Sequence, residues 1–146
     1  LYRLRRGFAP VTLAEFTLNN PVDYYDVSLV DGFNAPMSII PRGYRSSRST
    51  SSCQTIRCDS DLNQICPKAL QVVNKAGDVV ACMSACLAFT SPEYCCTDDF
   101  ANPDKCKPTE YSRLFKNACP RAYSYAYDDP TSIYMCRGAD YLINFC

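Results

Sequence analysis

The sequence predicts a mainly β fold in which strands near the N-terminus precede a disulfide-rich lobe with short helices. Two observations lead to this prediction: apolar and polar residues alternate within residues 12–29, and all 11 cysteines lie at or after Cys53. Lys plus Arg and Asp plus Glu each number 15, so the chain lacks the basic excess of nucleic-acid-binding proteins. We therefore expect no nucleic-acid partner.

The first strands lie at residues 12–18 and 23–29, where every second residue is apolar, as in a half-buried strand. Residues 19–22 have turn chemistry, so the two strands should form an antiparallel hairpin. A turn centred within this segment places Glu15 directly opposite Asp26.

The apolar face of this hairpin carries Phe16, Leu18, Val27 and Leu29. Such a face requires a second sheet to cover it. We expect that cover to be incomplete in this chain, which leaves an apolar patch that favours aggregation or a partner.

Charge separates locally although the total is zero. Residues 9–41 contain four acids and no base, whereas residues 42–57 contain four arginines and no acid. The Ser- and Arg-rich residues 44–52 read as an exposed loop between the β part and the cysteine-rich part.

The second part contains one strong helix pattern, at residues 109–119, where apolar residues follow a helical stripe and Pro120 ends it. A shorter helix is predicted around residues 81–89. Residues 128–131 form a turn, residues 132–136 resemble a strand, and residues 141–146 could form a closing strand.

The residue types restrict the chemistry. The chain has no His, which excludes Ser-His and Cys-His nucleophile pairs and imidazole ligands. No cysteine spacing is CxxC, so we expect neither a metal site nor a cofactor. The cysteines instead indicate disulfides, and disulfides indicate an oxidising compartment, so we expect a secreted, cell-wall or vacuolar protein.

The adjacent residues Cys95 and Cys96 should bond in different directions. The total number of cysteines, 11, is odd, so one cysteine lacks a partner within the chain. Residues 1–4 show no signal-peptide pattern, so we expect either a processed form or a missing N-terminal segment.

Long collinear motifs point to a family. They are TLAEF at 12–16, DVSLVDGFNAPM at 26–37, EYCC at 93–96, CKPTEYS at 106–112, ACP at 118–120, AYSYAYDD at 122–129, and the closing residues 140–146. Together they resemble the thaumatin-like family, the plant pathogenesis-related group 5, from about residue 7 to the end.

The resemblance implies a partial thaumatin-like β-sandwich joined to a disulfide-rich lobe. Residues 1–52 would form the second half of the sandwich, residues 53–136 the lobe, and residues 137–146 the closing strand. Family members are longer, with N-terminal strands and cysteines that this chain lacks, and Arg3 stands where they usually carry a cysteine.

The resemblance also implies the disulfide pairing. The pairs would be Cys53–Cys136, Cys58–Cys119, Cys66–Cys82, Cys86–Cys95 and Cys96–Cys106. Cys146 would stay unpaired, because its family partner lies in the absent N-terminal stretch, and we expect it to be the most reactive thiol.

Family members carry an acidic cleft between sandwich and lobe, lined by an Arg, a Glu and three Asp. Carried over, the acids are Glu15, Asp26, Asp31 and Asp128, while the Arg would lie in the absent stretch. Tyr24 and Phe33 could flank this cleft as stacking platforms for a sugar ring, although such residues are more often part of a core.

The opposed pair of Glu15 and Asp26 suggests a site independently of the resemblance, because like charges facing each other across strands are destabilising. Opposed Cβ atoms lie about 4.5–5.5 Å apart, and paired carboxyl groups at related spacings serve glycosidases. Glu15 and Asp26 are therefore candidate catalytic residues. The alternative is a solvated polar face balanced by nearby arginines.

Three functions compete at this stage. The resemblance implies a secreted plant defence protein that binds β-1,3-glucan or another fungal wall polysaccharide, or acts on a membrane surface, without turnover. A weak endo-β-1,3-glucanase is the second candidate. An inactive fragment or an extracellular ligand-binding module is the third.

Overall fold

The computed structural model describes residues 8–19, 21–44 and 53–145. These residues form a mainly β chain with three short α-helices, which confirms the predicted fold class. The elements are β1 (Leu13–Thr17), β2 (Asp23–Ser28), β3 (Met37–Arg42), β4 (Ile56–Cys58), β5 (Gln71–Val73), β6 (Val79–Cys82), α1 (Ala85–Phe89), α2 (Pro92–Cys95), α3 (Glu110–Ala118), β7 (Tyr134–Cys136) and β8 (Asp140–Phe145). Single 3-10 turns occur at Lys68–Leu70, Asp98–Phe100 and Asp129–Thr131.

The first sheet has the strand order β1-β2-β7, and both of its pairings are antiparallel. β1 and β2 form the predicted hairpin, and the predicted register with Glu15 opposite Asp26 is confirmed. β2 is the central strand, and alternate residues on one of its faces, Tyr25 and Val27, are fully buried. The opposite face of β2 carries Asp26 and forms part of the candidate site.

The second sheet has the order β4-β3-β8 and packs on the buried face of β2. Its residues Met37, Ile39 and Ile56 join Val27 and Leu29 in one core cluster. The expectation that Val27 and Leu29 lack a covering sheet is therefore wrong, because strands of this chain cover them.

Apolar exposure occurs at the margins of the two sheets. Leu18 lies beyond the end of β1 and is 67% exposed, so the cover of the expected apolar face is incomplete at this residue. On β8, an edge strand of the second sheet, Leu142, Ile143 and Phe145 are exposed. Phe16, in contrast, is half-buried against the rings of Tyr25 and Tyr141.

The sheets cross the boundaries expected from sequence. β4 and β7 both lie within residues 53–136 but pair with β3 and β2, whereas β8 returns to β3 as the closing strand was expected to do. Residues 45–52 of the expected loop and the terminal Cys146 lie outside the described residues.

The lobe is held by disulfides that are the same pairs as the resemblance implied. Three close short loops within the lobe, and two tie it to the sheets. They are Cys66–Cys82, Cys86–Cys95, Cys96–Cys106, Cys58–Cys119 and Cys53–Cys136. The remaining sheet of the lobe is the hairpin of β5 and β6.

Helix α3 confirms the strongest helix prediction. The side chains of Thr109 and Ser112 form a reciprocal capping box at its start, and Phe115 is buried in the core. The predicted helix around 81–89 is shorter than expected, because residues 79–82 pair with β5 and the helix begins only after Ser84, which caps it.

Besides these strand pairings, two backbone seams join the lobe to the first part. Phe33 and Cys82 exchange a pair of backbone hydrogen bonds, each 2.8 Å long. Tyr123 donates its backbone N–H to the carbonyl of Val27 and accepts from the N–H of Leu29. The second seam brings residues 122–129 alongside the end of β2, where the predicted acidic residues lie.

Candidate functional site

An open cleft of about 420 Å³ lies at the second seam, between the hairpin and residues 122–129. Four acidic side chains line it: Glu15 from β1, Asp26 from β2, Asp31 from the turn after β2, and Asp129 from the opposite wall. We call this site, defined by those four residues, the acidic cleft. Leu13, Ser28 and Tyr123 are among its other lining residues.

Glu15 and Asp26 come together because the hairpin register places them opposite each other on one sheet face. Asp26 is half-buried, and Glu15 is exposed. Burial, the charge of Glu15, a hydrogen bond with Glu15 and the charge of Asp129 raise the pKa of Asp26 from 3.8 to about 7.

Near neutral pH, therefore, Asp26 retains its proton in much of the population. One oxygen of Asp26, Oδ1, is buried without a hydrogen-bond partner among the described residues. A buried acceptor without a partner is costly, in keeping with the burial that raises the pKa of Asp26.

The opposite wall is held by Tyr123. Its hydroxyl donates a hydrogen bond of 2.9 Å to Oδ1 of Asp129. Burial, together with this bond and the charge of Asp129, raises the pKa of the Tyr123 hydroxyl, so Tyr123 remains a donor. Because Tyr123 also forms the seam to β2, Asp129 is tied to the strand that carries Asp26.

Asp128 has a different role from the one that was expected. It does not line the cleft, and its Oδ2 accepts hydrogen bonds from the backbone N–H and the hydroxyl of Ser124. The same oxygen forms an ion pair of 2.9 Å with Nζ of Lys116 on α3. Asp128 thus stabilises the cleft wall, and its neighbour Asp129 takes the lining position.

A family model for the thaumatin family matches residues 4–146, almost the whole chain. The chain belongs to the thaumatin family. Similar curated proteins include a thaumatin-like protein of Arabidopsis thaliana, 57% identical over 96% of this chain and 56% of that protein. A pathogenesis-related thaumatin-like protein 3.5 of Cryptomeria japonica is 55% identical over 96% of this chain and 55% of that protein.

A third thaumatin-family relative carries an enzyme name. It is a glucan endo-1,3-beta-glucosidase of Prunus avium, 50% identical over 94% of this chain and 55% of that protein. The chain therefore spans just over half the length of these relatives.

Within this family member, three of the four expected acidic residues line one cleft, and the two expected stacking residues do not. Phe33 forms backbone hydrogen bonds with Cys82. Its side chain is fully buried, so it cannot contact a ligand. Tyr24 is 39% exposed but lies outside the lining of the cleft.

Asp129 is the lining residue that sequence reasoning missed. It directly follows Asp128 in the sequence, and no periodic pattern distinguishes two adjacent acids in a turn. The signal that separates them is Lys116 at the C-terminal end of α3, which provides a cation for one of the two carboxylates.

The cleft offers carboxyl and hydroxyl groups and no cation among its described lining residues. Within the described parts of the chain, no group of three or more Cys, Asp or Glu residues could hold a metal ion. None of the described helices is long and apolar enough to cross a membrane.

Proposed function

We propose that this chain is part of a secreted plant defence protein that binds β-1,3-glucan of the fungal wall in the acidic cleft, without turnover. The observation that carries the proposal is the convergence of Glu15, Asp26, Asp31 and Asp129 on one open cleft between two differently built parts of the chain. Secretion is supported by the five disulfides, and a defence role is supported by the relatives' pathogenesis-related names.

The polar lining of the cleft suits a neutral, hydroxyl-rich ligand. Each sugar hydroxyl both donates and accepts hydrogen bonds. The carboxylate oxygens of the lining accept from such hydroxyls, and so does the oxygen of the Tyr123 hydroxyl, whose single proton is donated to Asp129.

A membrane surface fits this cleft less well. Anionic lipid head groups attract basic protein segments. A cleft lined by four acids instead repels these head groups. We therefore place the polysaccharide ahead of the membrane as the partner of this site.

Hydrolysis of the same glucan is the second candidate, and two observations favour it. The raised pKa of Asp26 suits a general acid beside the carboxylate of Glu15, and one relative is named a glucan endo-1,3-beta-glucosidase. In this reading Asp26 protonates the leaving oxygen, and Glu15 acts as nucleophile or base.

The geometry weighs against that reading. Glu15 and Asp26 face each other across the hairpin, close enough for the charge of Glu15 and a hydrogen bond with it to raise the pKa of Asp26. Retaining glycosidases separate their carboxyl groups by about 5–5.5 Å and inverting enzymes by more. A sugar would have to part the pair before either mechanism could operate, so binding without turnover is the better-supported proposal.

The test combines a pull-down on insoluble β-1,3-glucan with a reducing-sugar assay on soluble linear β-1,3-glucan. Glu15→Gln and Asp26→Asn should each weaken retention by the insoluble glucan, and the wild-type chain should release no reducing ends. Asp59→Asn, an exposed acid outside the cleft, is the matched control and should bind like the wild type.

Reducing ends that appear with the wild type and disappear in Asp26→Asn would favour the hydrolase instead. Equal retention of the wild type and both cleft variants would contradict the assignment of the ligand to this cleft.

A further inference from the structure

A second, narrower pocket lies in the lobe beside the acidic cleft. Its walls include the side chains of Tyr94, Tyr111 and Tyr125, with Glu93 and Lys107 also lining it. We call it the tyrosine pocket, defined by these five residues. Nothing in the proposed function uses it.

The tyrosine pocket is adjacent to the acidic cleft. Val30 and Ala126 line both cavities, and Tyr125 of the pocket directly precedes Ala126 in the chain. A ligand long enough to leave the cleft past Ala126 therefore meets the pocket next.

The polar groups of the pocket are available to a ligand. Within the described parts of the chain, the hydroxyls of Tyr94, Tyr111 and Tyr125 and the carboxylate of Glu93 take part in no hydrogen bond or ion pair. Lys107 donates one hydrogen bond, of 3.0 Å, to the carbonyl of Pro103, and two of its three donors remain. Buried Ser112 and Ser124, which also line the pocket, are engaged in local hydrogen bonds.

The walls of the pocket are preformed. Tyr94 lies on α2, whose end is fixed by the adjacent Cys86–Cys95 and Cys96–Cys106 disulfides. Its ring packs edge-on against that of Tyr111 on α3, at a centroid distance of 5.9 Å. Such a site requires little ordering when a ligand binds.

Size and charge define what the pocket accepts. Its volume of about 40 Å³ accommodates a few water-sized groups, since one water needs roughly 10–15 Å³ on the same measure. This is enough for a hydroxymethyl arm or two neighbouring hydroxyls but not for a whole sugar ring. Glu93 and Lys107 cancel in charge, so the pocket favours a neutral group that both donates and accepts hydrogen bonds.

We propose that the tyrosine pocket is a second subsite, which binds the hydroxyl groups of a sugar unit further along the same polysaccharide whose chain lies in the acidic cleft. The inference rests on the proposed function, because it assigns the ligand of the cleft to the pocket as well. It adds a requirement for ligand length that the cleft alone does not impose.

The experiment measures the affinities of β-1,3-gluco-oligosaccharides from laminaribiose to laminarihexaose for the full chain by calorimetry. The variants are Glu93→Gln, Lys107→Met and Tyr125→Phe, each of which alters one polar group at the pocket. Lys105→Met, a nearby exposed lysine outside the pocket, is the matched control, and thermal unfolding confirms that each variant folds.

Affinity of the wild type should rise with length and then level off. Each pocket variant should weaken laminarihexaose binding by about threefold to tenfold, the effect of one lost hydrogen bond, and leave laminaribiose binding unchanged. The cleft variant Asp26→Asn should weaken binding at both lengths.

Two results would overturn the inference, and they are distinguishable. If Asp26→Asn weakens laminarihexaose binding and the pocket variants do not, the second subsite is wrong while the proposed function stands. If the wild-type chain binds no oligosaccharide at any length, both are wrong.

Discussion

The two parts of this chain are stabilised by different means. Residues 8–44 contain no cysteine and are held by strand pairing and by burial of Tyr25, Val27 and Leu29. Residues 53–136 contain ten cysteines, which form five disulfides. The first part therefore relies on native contacts alone, whereas the second also has a constrained unfolded state.

This difference matters because the acidic cleft takes residues from both parts. Glu15, Asp26 and Asp31 come from the part without cross-links, and Asp129 comes from the cross-linked one. The geometry of the cleft depends on the seams at Tyr123 and at Phe33. If residues 8–44 loosened, the cleft would open while the lobe stayed intact.

The largest expected effect comes from removing the cross-link between β4 and the end of α3. Cys58 and Cys119 are 61 residues apart, whereas Cys86 and Cys95 are 9 apart. Loop-closure entropy predicts a loss of about 4 kcal/mol for the double variant Cys58→Ala/Cys119→Ala and about 2.5 kcal/mol for Cys86→Ala/Cys95→Ala. Urea unfolding measures both, and equal losses would show that loop length does not govern the stability of the lobe.

The second expected effect comes from a substitution at Gly32, next to the seam that Phe33 forms with Cys82. Its φ is +87°, and a Cβ there would lie 2.6 Å from the carbonyl oxygen of Cys82 and 2.8 Å from Cβ of Pro10. Gly32→Ala should cost about 2–4 kcal/mol, from left-handed strain together with the clash.

Gly77→Ala is the matched control for that variant. Gly77 has a similar φ of +91° but no atom within 4 Å of its Cβ position, so only the backbone strain of about 1–2 kcal/mol applies. Thermal unfolding compares the two variants. Similar losses would mean that the close approach of Gly32 to Cys82 does not stabilise the seam.

The third effect concerns the pH dependence of the part without disulfides. The pKa of Asp26 is raised from 3.8 to about 7 in the folded chain, chiefly by burial. Between these values the folded state binds a proton that the unfolded state has lost, so the contribution of Asp26 to stability falls as pH rises from about 4 to about 7.

Asp26→Asn should remove this fall, so its melting temperature relative to the wild type should rise between about pH 4 and about pH 8. Asp59→Asn, an exposed acid outside the cleft, is the control and should show no such trend. A parallel decrease of wild type and Asp26→Asn with pH would show that Asp26 does not retain a proton in the folded chain.

Prediction from sequence worked best where a short-range pattern determines the structure. The alternation of residues 12–29 specified the hairpin and the register of Glu15 with Asp26, and the apolar stripe specified α3. The disulfide pairs, in contrast, followed from family resemblance, because cysteine spacing alone leaves many pairings open.

The misses have physical causes. β3 was not anticipated, because Pro41 lies within it and proline usually argues against a strand that is paired on both sides. β8 in fact pairs with β3 along its length, with Tyr141 opposite Pro41. Two other features depend on contacts between residues far apart in sequence, which local patterns do not record. One is the burial of Val27 beneath the second sheet, and the other is which of Asp128 and Asp129 lines the cleft.

The most direct test of the central claim is native-state hydrogen exchange in increasing denaturant, followed by mass spectrometry. We expect amides of β1 and β2 (Leu13–Thr17 and Asp23–Ser28) to become exchangeable through an opening that leaves α3 (Glu110–Ala118) protected, because only the lobe is cross-linked. If both regions lose protection together at the same denaturant concentration, the chain opens as a single unit, and the contrast between its two parts is contradicted.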